Sequence, residues 1–127
     1  DLWADEDLLS SDDASEIGAT AASPVVFGWT CRSQWFQYLF APALHEALME
    51  EPGGGALATV GATGISPPEV QALLAEIAFR EFLAGVPLGD ALRRAKIALF
   101  ERDPRARSVA VNLGLLGDPS LRLQPRP

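Results

Sequence analysis

The sequence predicts an α/β fold with a mostly parallel sheet, and its order of elements supports this prediction. Two short runs, PVVFGWT at 24–30 and GALATVG at 55–61, are almost wholly apolar, as is typical of central strands covered on both faces. A helical pattern lies between them. A strand, a helix and a strand in that order form a right-handed parallel crossover. The 127 residues suit one compact domain or a piece of a larger one.

The acidic start of the chain predicts a short surface helix that ends near Ile17. Ser10 or Ser11 is placed to cap this helix, and Asp12 and Asp13 carry the charge that a helix N-terminus favours. The acidic cluster of Asp12, Asp13 and residues 5–7 could bind a hard cation such as calcium, but it lacks the alternating ligands and the glycine of a calcium loop. We therefore interpret this acidic cluster as a solvated surface.

A longer helix is predicted between the two strands, from Trp35 to Glu50. Apolar side chains recur there at three- and four-residue spacing, and Pro42 marks a bend or the true start. Glycines 53–55 precede a strand instead of opening a helix, so they predict a turn and not a phosphate-binding loop.

Two further helices follow the second strand. The first, at 66–85, has Ser66 as its cap, Glu69 for a capping box, prolines in its first turn and Gly85 as its stop. The second, at 87–103, has an apolar face and an opposite basic face. The predicted apolar face contains Leu88, Ala91, Leu92, Ala95, Leu99 and Phe100, and the basic face contains Arg93, Arg94 and Lys96.

The tail predicts two strand-like segments, Val109 to Leu113 and Leu121 to Leu123, separated by a GDPS turn. Apart from the short surface helix, the chain then has three or four strands and three helices. This sheet is small for an independent doubly wound domain, so we expect the chain to supply only part of one.

Composition excludes several classes of function. The net charge of -7 opposes attraction to nucleic acid or to anionic membranes, and no apolar run is long enough to span a bilayer. The single cysteine allows neither an internal disulfide nor a multi-thiolate zinc site. We therefore expect no metal, no cofactor, no nucleic acid, no membrane and a reducing, cytoplasmic compartment.

Cys31, which follows the first apolar run, has two competing interpretations. Cysteine is often a small buried core residue. Alternatively, reactive groups gather where loops leave the carboxyl ends of strands, and Cys31 stands between the apolar run and the polar RSQ. The predicted helix would put His45, the one histidine, about 15 to 20 Å away along its axis. We therefore interpret His45 as a surface or interface residue, so the chain contains no complete cysteine and histidine dyad.

A set of segments in this order resembles the C-terminal half of the catalytic domain of gingipain-like cysteine peptidases, relatives of caspases and of CHAT domains. They are LWADEDLLSSDDASEI, PVVFGWTC, PALHEALMEEPGGGALATVGATG, VPLGDALRRAKIAL and NLGLLGDPSLRL. The resemblance runs roughly from Trp3 to Leu123. It implies a three-layer α/β/α caspase-like sandwich, with residues 1–127 as the C-terminal, nucleophile-bearing portion of one peptidase domain.

The resemblance implies that Cys31 attacks the scissile carbonyl of a protein or peptide substrate as a thiolate and forms an acyl-enzyme. Its backbone amide would offer one donor to the oxyanion. Family members carry the general-base histidine in a His-Gly motif on an earlier strand, and this sequence has no such motif. We expect the histidine on an upstream segment or on a separate chain made by proteolytic processing.

The sequence departs from the family around the cysteine, where a small or glycine-rich segment is expected and Arg32, Gln34 and Trp35 stand instead. This departure puts the substrate pocket in doubt more than the nucleophile. Thr63, Gly64 and Ile65, after the second strand, are our candidates for a pocket wall. A tight turn before the next helix is the alternative for this segment.

Three hypotheses follow for the chain as a whole. It is the nucleophile-bearing subunit of a cysteine peptidase of bacterial origin, or an inactive caspase-like interaction or regulatory module, or a nucleotide-binding α/β domain. The third has only two glycine-rich segments in its favour, and neither opens a helix as phosphate binding requires. An unpaired sheet edge also predicts that the isolated chain aggregates.

Overall fold

The computed structural model describes residues 2–3, 9–17, 23–52, 55–103 and 106–124. Residues 5–7 of the predicted acidic cluster and the glycines at 53–54 lie outside these ranges. In chain order the elements are β1 (Leu2–Trp3), β2 (Leu9–Ser10), α1 (Ala14–Ile17), β3 (Val25–Gly28), α2 (Leu44–Glu50), β4 (Ala58–Ala62), α3 (Pro68–Leu83), α4 (Leu88–Arg102), α5 (Arg107–Asn112) and β5 (Leu113–Gly117). The predicted α/β class is confirmed.

The chain divides into two compact units. The first comprises residues 1–65 and 112–117, and the second comprises residues 66–111 and 118–127. The first unit holds every described strand, whereas the second is helical. No helix among the described residues is long and apolar enough to cross a membrane.

The main sheet of the first unit has the strand order β3-β4-β5. β3 and β4 are parallel, as the crossover predicted, and β4 and β5 are antiparallel, so the described sheet is mixed. The register sets Gly28 beside Gly61 and Gly61 beside Gly114. We call these three residues the glycine row. It leaves a strip across one face of the sheet on which no side chain stands.

The face that carries the glycine row is covered by α2. Ala14, Leu44 and Leu48 form a buried apolar cluster, and Val26 of β3 packs against it. Val26 and Gly28 are two residues apart on β3 and therefore point to the same face of the sheet. All five residues of β4 are buried, as the almost wholly apolar run predicted.

The predicted helix from Trp35 to Glu50 is wrong in its first half. Residues 31–41 form a series of turns, and α2 begins only at Leu44. Leu39 and Phe40, which supplied the helical spacing, are 89% and 87% exposed, so no burial rewards a helix there. The carboxylate of Glu46 accepts a hydrogen bond from the backbone N–H of Ala43 at 2.9 Å and so supports the later start.

The second unit contains the two helices with the clearest sequence signals, and both are confirmed. α3 ends at a glycine in the left-handed region, Gly85 with φ 85°, whose N–H donates to the carbonyl of Phe82. Ser66 does not cap α3, because no side chain caps it and the amide of Gln71 donates to the Ser66 hydroxyl instead.

The predicted faces of α4 hold with two exceptions. Its buried residues are Leu88, Ala91, Leu92, Ala95 and Leu99. Phe100, predicted to be buried, is exposed, whereas Lys96, predicted to be solvated, is half-buried. Desolvation lowers the pKa of Lys96. Arg93 and Arg94 are exposed as predicted, and Arg94 pairs with Glu81 of α3 at 2.8 Å.

The predicted strands of the tail are wrong. The segment from Val109 to Asn112 belongs to helix α5, and the strand β5 starts at Leu113. Residues 121–123 are not a strand. The GDPS turn between them is confirmed, with the N–H of Leu121 donating to the carbonyl of Asp118 at 3.3 Å.

Candidate active site

Cys31 lies at the carboxyl end of β3, three residues beyond Gly28, and it is exposed. The interpretation as a buried core thiol is therefore wrong. The cysteine begins a turn that spans residues 31–34. Because β3 and β4 are parallel, their carboxyl ends meet at one edge of the sheet, which is where α/β folds place reactive groups.

The turn after Cys31 is fixed to the end of β4 by two backbone hydrogen bonds. The N–H of Arg32 donates to the carbonyl of Gly64 at 3.3 Å, and the N–H of Gln34 donates to the carbonyl of Ala62 at 3.0 Å. Both donors follow Cys31 in the chain, by one and by three residues. These bonds set the direction in which the chain leaves β3 and with it the place of the thiol.

Arg32 has a backbone conformation that residues with a side chain rarely adopt, with φ 63°. For such a residue the left-handed region costs about 1–2 kcal/mol, so the surrounding contacts must hold it. Its carbonyl accepts from the N–H of Trp35 at 3.1 Å, and its guanidinium lies 4.8 Å from the centre of the Trp35 ring. A cation over an indole face is attractive, so the side chain supports the strained turn.

Ser33 and Gln34 point inward, with 3% and 1% of their surface exposed. The Ser33 hydroxyl donates to the carbonyl of Gly28 at 3.2 Å. The Gln34 side-chain amide donates to the carbonyl of Thr59 at 3.1 Å and lies 3.2 Å from the Thr59 hydroxyl. The departure from the family pattern at Gln34 therefore lies in the buried support of the turn and not in a substrate pocket.

His45 is buried, with 1% of its surface exposed, so its interpretation as a surface residue is wrong. Its ring lies over two members of the glycine row. A methyl group added at Gly28 would lie 2.7 Å from Cε1 of the ring, and one added at Gly61 would lie 2.7 Å from Nδ1. Only glycines at these two positions leave room for the ring.

The His45 ring is not hydrogen-bonded to the Cys31 thiol. Neither of its ring nitrogens has a hydrogen-bond partner among the residues that the structure describes, Cys31 included. Burial lowers the pKa of His45 to about 4, so the ring is neutral near pH 7. The absence of a complete cysteine and histidine dyad stays a prediction, and the long helix on which its distance argument depended is not formed.

The predicted pocket residues lie on the loop that follows β4. The backbone N–H and the hydroxyl of Thr63 both donate to the carbonyl of Asn112, at 2.7 Å and 2.9 Å. Gly64 accepts from the turn of Cys31, and Ile65 is 68% exposed. Gly64 is thus bonded to the residue after Cys31, while Thr63 is tied to the helix end that precedes β5.

The burial of Ser33, Gln34 and His45 was not predicted from the sequence. A signal for them was present, because all three strands of the sheet carry a glycine near the same edge. Glycine is unfavourable within strands unless something approaches the backbone closely. Among the described residues no group of three or more histidine, cysteine or acidic side chains could hold a metal ion.

Comparison with known proteins agrees with this architecture. Residues 1–124 match the family model of Peptidase family C25. Among solved structures, the Arg specific cysteine proteinase gingipain R has the same fold, with a TM-score of 0.72 and 18% sequence identity. The match covers 97% of this chain and 31% of the gingipain R chain, so this chain spans about a third of that protein's length. No curated protein sequence matches significantly. The family match over nearly the whole sequence shows that the chain belongs to peptidase family C25.

Proposed function

We propose that this chain supplies the nucleophile of a cysteine endopeptidase and that Cys31 is that nucleophile. The observation that carries the proposal is the exposed thiol at the carboxyl edge of the parallel strand pair, in a turn that hydrogen bonds fix to β4. Family membership supports the reaction class. The substrates are proteins or peptides.

In the proposed reaction, the Cys31 Sγ attacks the carbonyl carbon of the scissile peptide bond as a thiolate. The carbon–nitrogen bond then breaks, and the amine leaves with a proton that the general base took from the thiol. Water then attacks the resulting thioester: its oxygen forms the carboxylic acid that is released, the carbon–sulfur bond breaks, and a proton from the water passes through the base to Sγ. Each proton transfer needs a base within hydrogen-bond reach of Sγ.

The proposed base lies outside these 127 residues, because their one histidine is buried and neither of its ring nitrogens is hydrogen-bonded to Cys31 or to any other described residue. We propose that an upstream segment, or a separate chain produced by autoprocessing of a zymogen, brings a histidine to Cys31. The strand order supports this proposal, since β3 stands at the end of the order β3-β4-β5 among the described strands. A further strand paired with β3 would end beside Cys31.

A substitution at Cys31 tests the proposal in the full natural protein. Cys31→Ala should abolish hydrolysis of a casein substrate, whereas Gln37→Ala, an exposed change in the same loop, should leave it intact. Equal activity of Cys31→Ala and the unsubstituted protein would show that the thiol is not the nucleophile.

A catalytically inactive interaction module is the second candidate. One observation favours it: the loop that follows Cys31 exposes the aromatic and aliphatic side chains of Phe36, Tyr38, Leu39 and Phe40. Exposed apolar patches of this kind often mark binding surfaces. The residues upstream of this chain distinguish the two candidate functions. A histidine there that is required for cleavage supports the enzyme and excludes the inactive module.

We also propose a cytoplasmic, reducing location for the protein. A nucleophilic cysteine must stay reduced to act, and the sequence contains no second cysteine with which it could form an internal disulfide.

A further inference from the structure

We propose that Ser33, Gln34 and His45 are positioning residues that hold the Cys31 turn in its reactive geometry by packing on the glycine row. The inference rests on the proposed role of Cys31 as nucleophile and extends it to residues that do not touch the substrate. Its basis is the way in which three polar side chains cover a strip of sheet that has no side chains of its own.

The side chains and the glycine row fit one another closely. A methyl group at Gly61 would lie 2.5 Å from the Ser33 Oγ, and one at Gly114 would lie 2.6 Å from the Gln34 Oε1. Real side chains essentially never approach so closely, so each glycine is needed for the polar group above it. The glycine row therefore forms a recess that receives the side chains of Ser33, Gln34 and His45, and we call this recess the socket.

The hydrogen bonds around this socket are made by Ser33 and Gln34, the two residues that follow Arg32. The Ser33 carbonyl accepts from the backbone N–H of His45 at 3.1 Å, and the Ser33 hydroxyl donates to Gly28. Gln34 donates through its backbone to Ala62 and through its side chain to Thr59. The turn is thus bonded to β3, to β4 and to the first turn of α2.

This arrangement lowers the folding stability of the chain. Polar side chains buried on a sheet lose their hydration, and both ring nitrogens of His45 lack a hydrogen-bond partner among the described residues. The turn also holds Arg32 in a strained conformation. Strain at the residue after Cys31, and unsatisfied polar groups on a residue bonded to the same turn, indicate that the turn is held for reactivity.

A matched pair of glutamine variants in the full natural protein tests the inference. Gln34→Met keeps the length of the side chain and removes its donor, and Gln37→Met makes the same change at an exposed position of the same loop. We expect Gln34→Met to lower kcat about 10- to 100-fold with KM changed less than about twofold, because small misplacements of a reacting group slow the chemical step. Gln37→Met should leave both constants unchanged.

A merely structural role would give a different result. It would lower the melting temperature and the fraction of folded enzyme, but kcat per folded enzyme, measured well below the melting temperature, would stay that of the unsubstituted protein. That outcome would overturn the inference. Should Gln34→Met fail to fold, Ser33→Ala removes the hydroxyl bond to Gly28 without adding volume and is judged by the same criterion.

A double-mutant cycle tests the socket itself. Gly28→Ala places a methyl group against the His45 ring and should lower kcat, whereas in a His45→Ala background the same methyl group meets no ring and should have little effect. Equal effects of Gly28→Ala in both backgrounds would contradict the socket.

Alkylation of Cys31 by iodoacetamide separates this inference from the proposed function. If the unsubstituted protein cleaves no peptide, the proposed function fails, yet the alkylation rate still reports on the turn. We expect Gln34→Met to change that rate at least about threefold and Gln37→Met to leave it unchanged. Equal rates in the folded variants would overturn the positioning role whether or not the protein is a peptidase.

Discussion

The backbone N–H of Gln34 donates to the carbonyl oxygen of Ala62 at 3.0 Å, which joins the turn that begins at Cys31 to the last residue of β4. The turn that carries the candidate nucleophile is therefore hydrogen-bonded to β4 as well as covalently connected to β3. Because those strands are parallel and their register is fixed, the position of Cys31 follows from the pairing of Gly28 with Gly61.

The pH dependence of stability should report on His45. Burial lowers its pKa from 6.5 to about 4, so between these values the unfolded chain binds a proton that the folded chain does not. The free energy of unfolding should therefore fall as the pH falls through this range, by about 3 kcal/mol, and be unaffected by His45 above it. Urea unfolding of the natural protein and of His45→Leu, from about pH 7.5 to about pH 4.5, measures the difference.

The comparison with His45→Leu removes the contribution of other titrating groups. Carboxylates such as Asp13 and Asp118, whose pKa values are lowered by hydrogen bonds from Ser10 and Ser120, contribute equally to both proteins. A difference that stays constant across the range would show that His45 titrates alike in the folded and unfolded chains.

Gly117 and Gly85 should differ in their tolerance of alanine. Both have positive φ, 109° and 85°, but a methyl group at Gly117 would lie 2.6 Å from the carbonyl oxygen of Leu57, whereas one at Gly85 meets nothing within 4 Å. We expect Gly85→Ala to cost about 1 kcal/mol, the conformational term alone, and Gly117→Ala to cost at least about 2 kcal/mol. Urea denaturation of each variant measures these costs, and equal costs would contradict the crowding at Gly117.

Replacing Leu39 and Phe40 by serine should leave stability nearly unchanged. Both side chains are almost fully exposed, so the double variant should shift the free energy of unfolding by less than about 1 kcal/mol. The same variant should reduce self-association, since these residues form an exposed apolar surface. Light scattering tests the second expectation, and a large loss of stability in denaturant would show that the two side chains are buried.

Much of the fold could be predicted from the sequence because local signals and burial agree there. The apolar runs at β3 and β4, the prolines that begin α3 and the glycine that ends it each indicate the element that forms. In these segments the residues with apolar spacing are also the residues that pack.

The rest of the fold could not be predicted, because apolar residues at helical spacing also occur where they are not buried. Phe36, Leu39 and Phe40 follow a helical period, but they lie exposed in a turn-rich loop where Tyr38 packs on Trp35 with ring centres 5.4 Å apart. A local aromatic contact of this kind leaves no periodic signal that distinguishes it from a helix face. The error then misplaced His45, because its predicted position depended on that helix.

The candidate site was predicted in part for a similar reason. A cysteine at the end of an apolar strand is visible in the sequence, so Cys31 could be singled out. The contacts that support the Cys31 turn could not be predicted, because Gln34 comes close to Thr59 and Gly114 only once strands that are distant in the chain have paired.

Mapping of a covalent adduct tests the central claim most directly. The full natural protein is incubated with a peptidyl chloromethyl ketone, digested and analysed by mass spectrometry, with and without prior saturation by a peptide substrate. We expect one adduct, on Sγ of Cys31, whose formation the substrate slows and which abolishes hydrolysis in proportion to labelling. Full hydrolytic activity with Cys31 completely labelled, or an inactivating adduct on another residue while Cys31 stays unmodified, would contradict it.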